Sequence, residues 1–482
     1  MTYLLLIALP IALAAACFLL RQRSRLVLAV AAISAMAQIG LSHAIADGTP
    51  SRLIGLTMSL DPLGRLVLDA ILIAGVVVFL AAIWLPHGEQ LAPIGTLMLS
   101  LAAATVLLIQ QPYLATLLLV ITALLAVLAI VDLPAESSAL VSPRLIATAL
   151  KFLVLMLLAG VFVTISLVLV GLYRPGADPA TSPARFILAL LVIGFGLRLA
   201  LAPLHVWLPD LLDDAAPLVA AFAIALNSAL GLLLLVSALQ FFPTLVFENE
   251  RGLGALSALG MGSAVLSAAL AVGQERMRRA FGYLCVANAG LIVFGTATIS
   301  VTGISGGLLL ALHQILALTA ICIALALIDT ADLRGAALNA LARRSPVAAI
   351  GLLAGVAALI GLPPFGGFAA WLLLLSAAAA RGPAFVVGLI LTALLGIVAV
   401  GRIGYQRLLG PDEDAPPPPP ELRIGDLPEF AQRPPATWRE PLLPALLVVL
   451  LLGVSLASGI YPQPVLDIIA RAIRSLTFVR VL

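Results

Sequence analysis

Long apolar runs alternate with short polar segments along almost the whole chain. A helix that crosses a membrane needs about 20 mostly apolar residues, and the sequence contains about fourteen such runs. On that scale we predict spans at residues 2–20, 26–45, 66–86, 91–110, 113–131, 147–173, 186–208, 217–241, 253–273, 279–299, 304–328, 347–376, 383–406 and 441–461. The pattern predicts an all-α polytopic membrane protein with about fourteen transmembrane helices, followed by a short amphipathic tail.

The composition also indicates a lipid environment. Of the 482 residues, 62% are hydrophobic and 10% are charged, whereas a typical soluble domain has about 45–50% apolar and about 25% charged residues. A single aqueous fold could not bury so much apolar surface, so we expect lipid to be its solvent. The net charge of +3 carries little information, because the positions of the cations matter more than their sum.

Arginines are distributed unequally among the connections between the predicted spans. If the spans alternate in direction, one side receives the clusters at 21–25, 276–279 and 343–344, and the other side receives few basic residues. The positive-inside rule then places the N-terminus outside and the loop after the seventh span in the cytoplasm. The Pro-rich link at 410–440 is expected to run extended over the cytoplasmic surface.

Two of the predicted spans are interrupted. The seventh contains "RLALAPLHVWLP" with Pro203, and the twelfth contains "GLPPFGGF" with Pro363, Pro364 and Gly366. Proline removes a backbone donor and clashes with the preceding turn, and carbonyls freed inside a membrane must face protein or water. The two breaks lie about 160 residues and five spans apart, a spacing that is typical of an inverted-repeat transporter.

Around these breaks the sequence resembles the antiporter-like membrane subunits of respiratory complex I, Mrp cation/proton antiporters and membrane-bound hydrogenases. The stretch "GFGLRLALAPLHVWLPDLLDDAAP" is similar to the family pattern GFxxKxxxxPxHxWLPDA…AP, and "GLPPFGGFAAW" is similar to GLPPxxGFxxK. The segments "ALKFLVLMLLAG", "AVGQERMRRAFGYLCVANAG" and "LALHQILALTAICIAL" resemble three further family segments in the family's order. The resemblance covers roughly residues 95–375.

The resemblance implies two inverted five-helix repeats with broken helices seven and twelve, and a chain of ionisable residues at mid-membrane. It divides the sequence into N-terminal helices (1–90), a first repeat (91–243), a second repeat (252–409), the Pro-rich link (410–440) and a last helix with an amphipathic tail (441–482).

Several positions depart from the family pattern. The acid that the family carries on span five is absent, and the span-seven lysine is replaced by Arg198. The span-eight lysine position falls near Asn227 and Ser228, and Trp371 stands at the span-twelve lysine position. A buried lysine can titrate near neutral pH, whereas arginine stays charged. The substitutions therefore indicate a proton-pathway scaffold that lacks the usual switch.

Five residues are candidates for a proton or ion pathway: Arg198, His205, His313, Lys151 and Asn227. An intramembrane charge is a functional candidate, although Arg198 could instead form a static ion pair with one of three nearby acids, Asp210, Asp213 and Asp214. His313 could be linked to buried water or be a satisfied core histidine. For His205 its place after the break and the resemblance favour helix capping or packing, and Lys151 could snorkel to the membrane interface or cap a hydrated channel.

The sequence contains no Gly-rich phosphate loop, CxxC pair, His/Glu metal cluster or nucleophile elbow. We therefore expect no cofactor, metal or nucleic acid, and we assign any redox chemistry to partners. The expected partners are the lipid bilayer and other membrane subunits of the same complex, with soluble redox or catalytic subunits contacted indirectly. The expected location is a bacterial inner membrane.

Three functions stay open at this point. The first is an antiporter-like subunit of a complex-I-related assembly, which couples redox or ion chemistry to proton or cation translocation. The second is a degenerate, non-pumping subunit that acts as a structural scaffold. The third is a membrane partner of an ion or inorganic-carbon uptake complex.

Overall fold

A computed structural model of the chain describes residues 1–53, 55–132, 143–172, 184–241, 250–331, 341, 344–408, 440–476 and 478–479. Within these ranges the chain forms seventeen helices and one small hairpin. The first nine helices are α1 (Thr2–Leu19), α2 (Ser24–His43), α3 (Pro62–Ala82), α4 (Leu91–Leu107), α5 (Pro112–Val131), α6 (Pro143–Leu172), α7 (Ala184–Arg198), α8 (Trp207–Asp214) and α9 (Pro217–Phe241). The other eight are α10 (Glu250–Val272), α11 (Met277–Ala297), α12 (Val301–Thr330), α13 (Pro346–Leu359), α14 (Gly366–Arg381), α15 (Pro383–Leu408), α16 (Leu442–Ile460) and α17 (Gln463–Arg474).

The helical architecture agrees with the hydrophobic pattern. Eleven helices in the described ranges are long and apolar enough, by length and composition, to cross a membrane, and α4, α7, α13 and α14 are apolar but shorter. The predicted seventh span is divided into α7 and α8, and the twelfth is divided into α13 and α14. The prediction of an all-α polytopic membrane protein is confirmed, while the count of fourteen spans stays a prediction.

A two-stranded hairpin that the sequence pattern did not predict connects α2 to α3. Strand β1 (Ser51–Leu53) pairs antiparallel with β2 (Leu56–Met58), and Gly55 in the turn has a φ of +78°, which glycine adopts without steric cost. Asp61 then caps α3 by accepting a hydrogen bond from the Gly64 backbone N–H at 3.1 Å. The hairpin thus leads directly into a capped membrane helix.

The centre of the protein is formed by helices that are apolar on all sides. About 94% of the apolar windows of α9 and α11 and 83% of that of α12 are buried inside the protein, whereas only 22% is buried in α1 and α15. A helix that is hydrophobic all round lies in a protein core or in lipid. We therefore expect the exposed apolar faces of α1 and α15 to contact lipid or neighbouring subunits.

Close backbone packing fixes α11 against α10. A Cβ added to Gly260 would lie 2.7 Å from the Gly290 carbonyl oxygen, and one added to Gly290 would lie 2.6 Å from the Gly260 carbonyl oxygen. Small residues allow such close approach between membrane helices. The contact matters for the site below because α11 also carries Asn288, which hydrogen bonds to the second break.

The last residue of the Pro-rich link contacts the second broken helix. Of the link at 410–440, only Glu440 is among the described residues, and its carboxylate accepts a hydrogen bond from Ser345 Oγ at 2.6 Å. The same carboxylate accepts from the backbone N–H groups of Val347 at 3.1 Å and Ala348 at 2.9 Å. A negative charge is favourable at a helix N-terminus, so Glu440 serves as the cap of α13.

Candidate functional site

The first broken span ends its N-terminal half in a closed turn. Helix α7 ends at Arg198, and Ala200 adopts a left-handed conformation with a φ of +57°. The N–H of Leu201 donates to the Gly196 carbonyl at 2.8 Å, and the N–H of Ala200 donates to the Leu197 carbonyl at 3.4 Å. This is the Schellman pairing, which satisfies two of the carbonyls that a helix end leaves free.

The second broken span ends its N-terminal half in the same way. Helix α13 ends at Leu359, and Gly361 has a φ of +73°. The N–H of Leu362 donates to the Ala357 carbonyl at 2.9 Å, and the N–H of Gly361 donates to the Ala358 carbonyl at 3.2 Å. The two turns therefore have the same hydrogen-bond pattern at positions 161 residues apart.

A buried asparagine completes each turn. Asn227 on α9 donates from Nδ2 to the Arg198 carbonyl at 3.0 Å, and Asn288 on α11 donates from Nδ2 to the Leu359 carbonyl at 2.8 Å. Both side chains are only 3% exposed. Asn227 is one of the pathway candidates from the sequence, and its amide is used in the hydrogen bond to the turn at the first break. The sequence did not single out Asn288, because one amide inside an apolar helix carries no distinguishing pattern.

The predicted helix-break prolines lie just beyond these turns. The Ala202–Pro203 and Pro363–Pro364 peptide bonds are both cis. At the first break the Ala202 N–H donates to Ser263 Oγ at 2.8 Å, which links the turn to α10. The position of both breaks therefore agrees with the prediction from proline and glycine.

Arg198 is buried, and it has no acidic partner in the part of the chain that the structure describes. Its side chain is 4% exposed, and Nη1 lies 3.5 Å from the Leu119 carbonyl oxygen and 3.7 Å from Met156 Sδ. Among the described residues Nε has no hydrogen-bond partner, and no ion pair within these residues includes Arg198. The three acids that were candidate partners bind other cations, so the ion pair that the sequence left open for Arg198 does not form among the described residues.

Those acids form an ion-pair cluster at the end of α8 that reaches two other helices. We call it the α8 cluster, and its members are Asp210, Asp213, Asp214, Arg144, Lys151, Arg276 and Arg279. Asp210, which is 8% exposed, forms an ion pair with Lys151 of α6 and another with Arg279 of α11, the latter at 3.2 Å. Lys151 therefore has a defined acidic partner, and its snorkelling to the membrane interface stays a prediction.

The other members of the α8 cluster pair among themselves. Asp213 binds Arg144 at 3.0 Å and Arg276 at 2.9 Å, and Asp214 binds Arg144 Nε at 2.8 Å. Thr148 also donates a hydrogen bond to Asp214 at 2.7 Å. Sequence reasoning assigned the arginines near residue 276 to membrane topology alone. The structure shows that two of them also connect α11 to α8.

The two candidate histidines have different surroundings. His205 is 8% exposed, and its ring centre lies 5.4 Å from that of Tyr283. His313 is 3% exposed, and its Nε2 lies 3.5 Å from Ser458 Oγ. A Cβ added to Gly366 would lie 2.1 Å from His313 Cε1. The predicted helix-break glycine is therefore needed because the imidazole packs directly on its Cα.

Two cavities lie near His313. A cavity of about 30 Å³ between α9, α11 and α12 is lined by Ser228 and Gln314 among apolar side chains. That volume is enough for a water molecule, and Gln314 Oε1 has no partner among the described residues. A groove of about 640 Å³ between α3, α12, α16 and α17 is lined by His313 and Ser458, with ionisable side chains such as Asp69 farther along it. Within the described ranges, no group of three or more His, Cys, Asp or Glu side chains could hold a metal ion.

The sequence is similar to known membrane proteins. The family model described as NADH:quinone oxidoreductase/Mrp antiporter, TM, matches residues 142–396. The chain is 30% identical over 310 residues to NADH-quinone oxidoreductase subunit M of Mycobacterium tuberculosis, with 63% of this chain and 51% of that one covered. It is 33% identical over 228 residues to a hydrogenase-4 component F homolog of Methylacidiphilum infernorum, with 44% of each chain covered. The matches span about half the length of these curated relatives.

The fold is similar to a solved structure over nearly its full length. A chain in the structure of the Mrp complex from Dietzia sp. DQ12-45-1b superimposes with a TM-score of 0.80 at 18% sequence identity, covering 98% of this chain and 97% of that chain. At this level of identity the similarity establishes the fold.

Proposed function

Because the chain belongs to the NADH:quinone oxidoreductase/Mrp antiporter transmembrane family, we propose that it is an antiporter-like subunit of a complex-I-related, multisubunit assembly in a bacterial inner membrane. Redox or ion chemistry in partner subunits is coupled, through this assembly, to proton or cation translocation. The names of the relatives support this proposal, and they do not favour a role in an ion or inorganic-carbon uptake complex.

The environment of Arg198 is the observation that supports a specific role for this subunit. The guanidinium has a carbonyl and a thioether as neighbours, and among the described residues it has no acid with which to form and break a pair. Arginine stays charged in proteins near neutral pH. In membrane pores, fixed positive charges act as electrostatic barriers to protons and other cations. We infer that Arg198 is a barrier that blocks the direct passage of protons through the middle of the first repeat. This subunit therefore does not itself pump protons through that repeat.

Replacing Arg198 tests this role. In Arg198→Leu, we expect the complex to assemble and to take up the same number of protons per turnover, because Leu359 shows that an apolar residue fits the matching place of the second break. Replacing a buried charge by an apolar residue is often neutral or stabilising. The measurements are proton uptake per turnover in the intact complex and the yield of assembled complex.

A control variant is Met156→Leu, which changes a neighbour of the guanidinium without removing its charge. A normal yield of the Arg198→Leu complex together with a fixed loss of protons per turnover would show that the first repeat carries a pathway through Arg198. That result would refute the proposed barrier.

The proposal also requires partners. We expect the chain to purify with other membrane subunits. Stable, active transport by the isolated monomer in liposomes would contradict a subunit role.

A further inference from the structure

The groove between α3, α12, α16 and α17 has a polar end and an apolar body. Helix α2 ends at His43 and α3 begins at Pro62, so this end of the groove is the one that reaches the membrane surface. The amphipathic helix α17 lies at the same end and contributes Val465, Ile468 and Arg471 to the lining. Five ionisable residues line this end of the groove: His43, Asp47, Arg65, Asp69 and Arg471.

The apolar body follows one face of α3 towards the middle of the membrane. Residues on that face line the groove at helical spacing: Pro62, Leu66, Ala70, Ile73 and Val77. At about 1.5 Å per residue this face is about 22 Å long, whereas one leaflet is half of a hydrocarbon core of about 30 Å. The volume of about 640 Å³ is also within the range of pockets that bury a small ligand, about 300–1,000 Å³. The groove is therefore deep enough to accept an acyl chain from one leaflet.

The charges at the polar end are paired except for one. Arg65 binds Asp47 at 2.7 Å, and Asp69 lies 3.7 Å from His43. Arg471 is exposed, and no ion pair within the described residues includes it. The charge at this end that the protein leaves unbalanced is therefore positive, which complements an anionic group.

The position of Arg471 on α17 also indicates a lipid headgroup as its partner. The predicted topology places α17 outside, because α16 follows the cytoplasmic link, and the positive-inside rule gives no reason for arginines on that side. An amphipathic helix with arginines on its polar face is typical of a helix in the membrane interface, where cations attract lipid headgroups. Helix α17 carries a second exposed arginine, Arg474, which does not line the groove.

We propose that this groove binds one glycerophospholipid of the outer leaflet, with its phosphate on Arg471 and one acyl chain along the face of α3. Arginine pairs well with phosphate oxygens, because its N–H groups match their geometry. The acyl chain passes Ile73 and reaches His313 and Ser458, which line the deeper part of the groove. The chain therefore separates this histidine from the water at the outer surface.

The headgroup contact provides the selectivity of this site. Lipid tails are as apolar as the side chains that line the groove, so moving an acyl chain from the bilayer into the groove gains little hydrophobic free energy. A cation beside an anionic headgroup adds an attraction that the bulk bilayer does not supply. Arg471 is thus the residue that should distinguish a bound lipid from the surrounding lipid.

The variant Arg471→Gln tests the phosphate contact. Native mass spectrometry of the delipidated, solubilised full-length chain, titrated with phosphatidylglycerol, measures the affinity. We expect Arg471→Gln to bind about fivefold more weakly than the wild type, the factor expected for one arginine near an anionic headgroup. Arg474→Gln is the matched control on the same helix and should bind like the wild type. Equal affinities of the wild type and Arg471→Gln would overturn the proposal.

Competition experiments identify the chemistry that is bound. Inorganic phosphate should not displace phosphatidylglycerol, because it cannot fill the apolar body of the groove. Diacylglycerol should displace it about fivefold less effectively than unlabelled phosphatidylglycerol, because it has no phosphate. Displacement by inorganic phosphate, or by diacylglycerol as effectively as by phosphatidylglycerol, would overturn the assignment to a phospholipid.

The variant Ala70→Phe tests the place of the acyl chain. A phenyl ring at this position occupies the apolar body, so binding of phosphatidylglycerol should fall by at least as much as in Arg471→Gln. Ala380→Phe on α14 is the control, because Ala380 is exposed and does not line the groove. The melting temperature without added lipid shows whether each variant is folded. Normal binding by a folded Ala70→Phe variant would contradict an acyl chain along α3.

A photo-crosslinking side chain in place of Ile73, which is exposed in the groove, reports the occupant in the intact complex. We expect adducts with phospholipid. Adducts with a neighbouring membrane subunit, or with a lipid that has no phosphate such as a quinone, would overturn the proposal. None of these measurements depends on proton transport, so the lipid site and the proposed function can fail separately.

Discussion

The two broken helices share a backbone design and differ in the side chains placed on it. Both end in a Schellman turn whose last carbonyl is bound by a buried asparagine amide. In other transporters the unwound carbonyls of a broken helix coordinate the transported ion. Here the carbonyls of the last turn are already bound, so the chemistry at each break depends on neighbouring side chains. Arg198 stands at the first break where Leu359 stands at the second, and His205 stands where Gly366 stands.

The largest effect is expected at the second break, in Gly366→Ala. The added methyl group would lie 2.1 Å from His313 Cε1 and 2.5 Å from Ser458 Oγ. Overpacking of this kind costs about 1–3 kcal/mol, occasionally more, so the melting temperature of the solubilised protein should fall. Gly262→Ala on α10 is the control, because its added Cβ would meet nothing within 4 Å. Equal melting temperatures of the two variants would contradict the close contact.

The asparagines test whether the two turns are equivalent. Asn227→Leu and Asn288→Leu each leave one buried carbonyl unsatisfied, which costs about 1–3 kcal/mol. Thermal unfolding should show similar losses for both variants, since each amide binds the same position of its turn. Ser228→Ala, next to Asn227 at the small cavity, is the control. If only one of the two variants lost stability, the two asparagines would not contribute equally to stability, although the two turns have the same hydrogen-bond pattern.

Trp207→Phe makes the first break more like the second, which has Phe368 at the matching position. The change removes the hydrogen bond from Trp207 Nε1 to the Leu197 carbonyl at 3.0 Å. That carbonyl retains the Ala200 N–H, so the expected loss is about 1 kcal/mol. Thermal unfolding measures it, and the losses of Trp207→Phe and Asn227→Leu should be separable in size. If Trp207→Phe lost as much stability as Asn227→Leu, the packing of the indole would contribute more to stability than its hydrogen bond does.

The smallest effect is expected in Ala200→Gly, and it should be stabilising. A left-handed conformation costs a residue with a Cβ about 1–2 kcal/mol. Glycine avoids this cost, but its greater loss of backbone entropy on folding costs about 0.5–1 kcal/mol. The net gain is therefore between about 0 and about 1.5 kcal/mol. The reverse change, Gly361→Ala, should be destabilising, because its Cβ would lie 2.3 Å from Trp371 Cδ1. A lower melting temperature for Ala200→Gly would contradict the argument from backbone strain.

The parts of the molecule that the sequence predicted are those encoded by local patterns. The apolar runs predicted the helices, and Pro203, Pro364 and Gly366 predicted where two spans break, because proline and glycine act on their own turn. The hairpin was missed because strands of three residues are too short for a periodic pattern. The Asn288–Leu359 and Lys151–Asp210 contacts join residues 71 and 59 positions apart. No local pattern encodes such pairs, so they required the fold.

The Glu440 cap has a consequence for how the chain is made. The backbone N–H groups of Val347 and Ala348 bind a carboxylate that follows them by 93 and 92 residues. At about 5–20 residues per second, a ribosome delivers that carboxylate about 5–20 seconds after it has made the start of α13. The start of the second broken helix is therefore synthesised before its cap exists, and its N-terminus can receive its final partner only when the end of the Pro-rich link has been made.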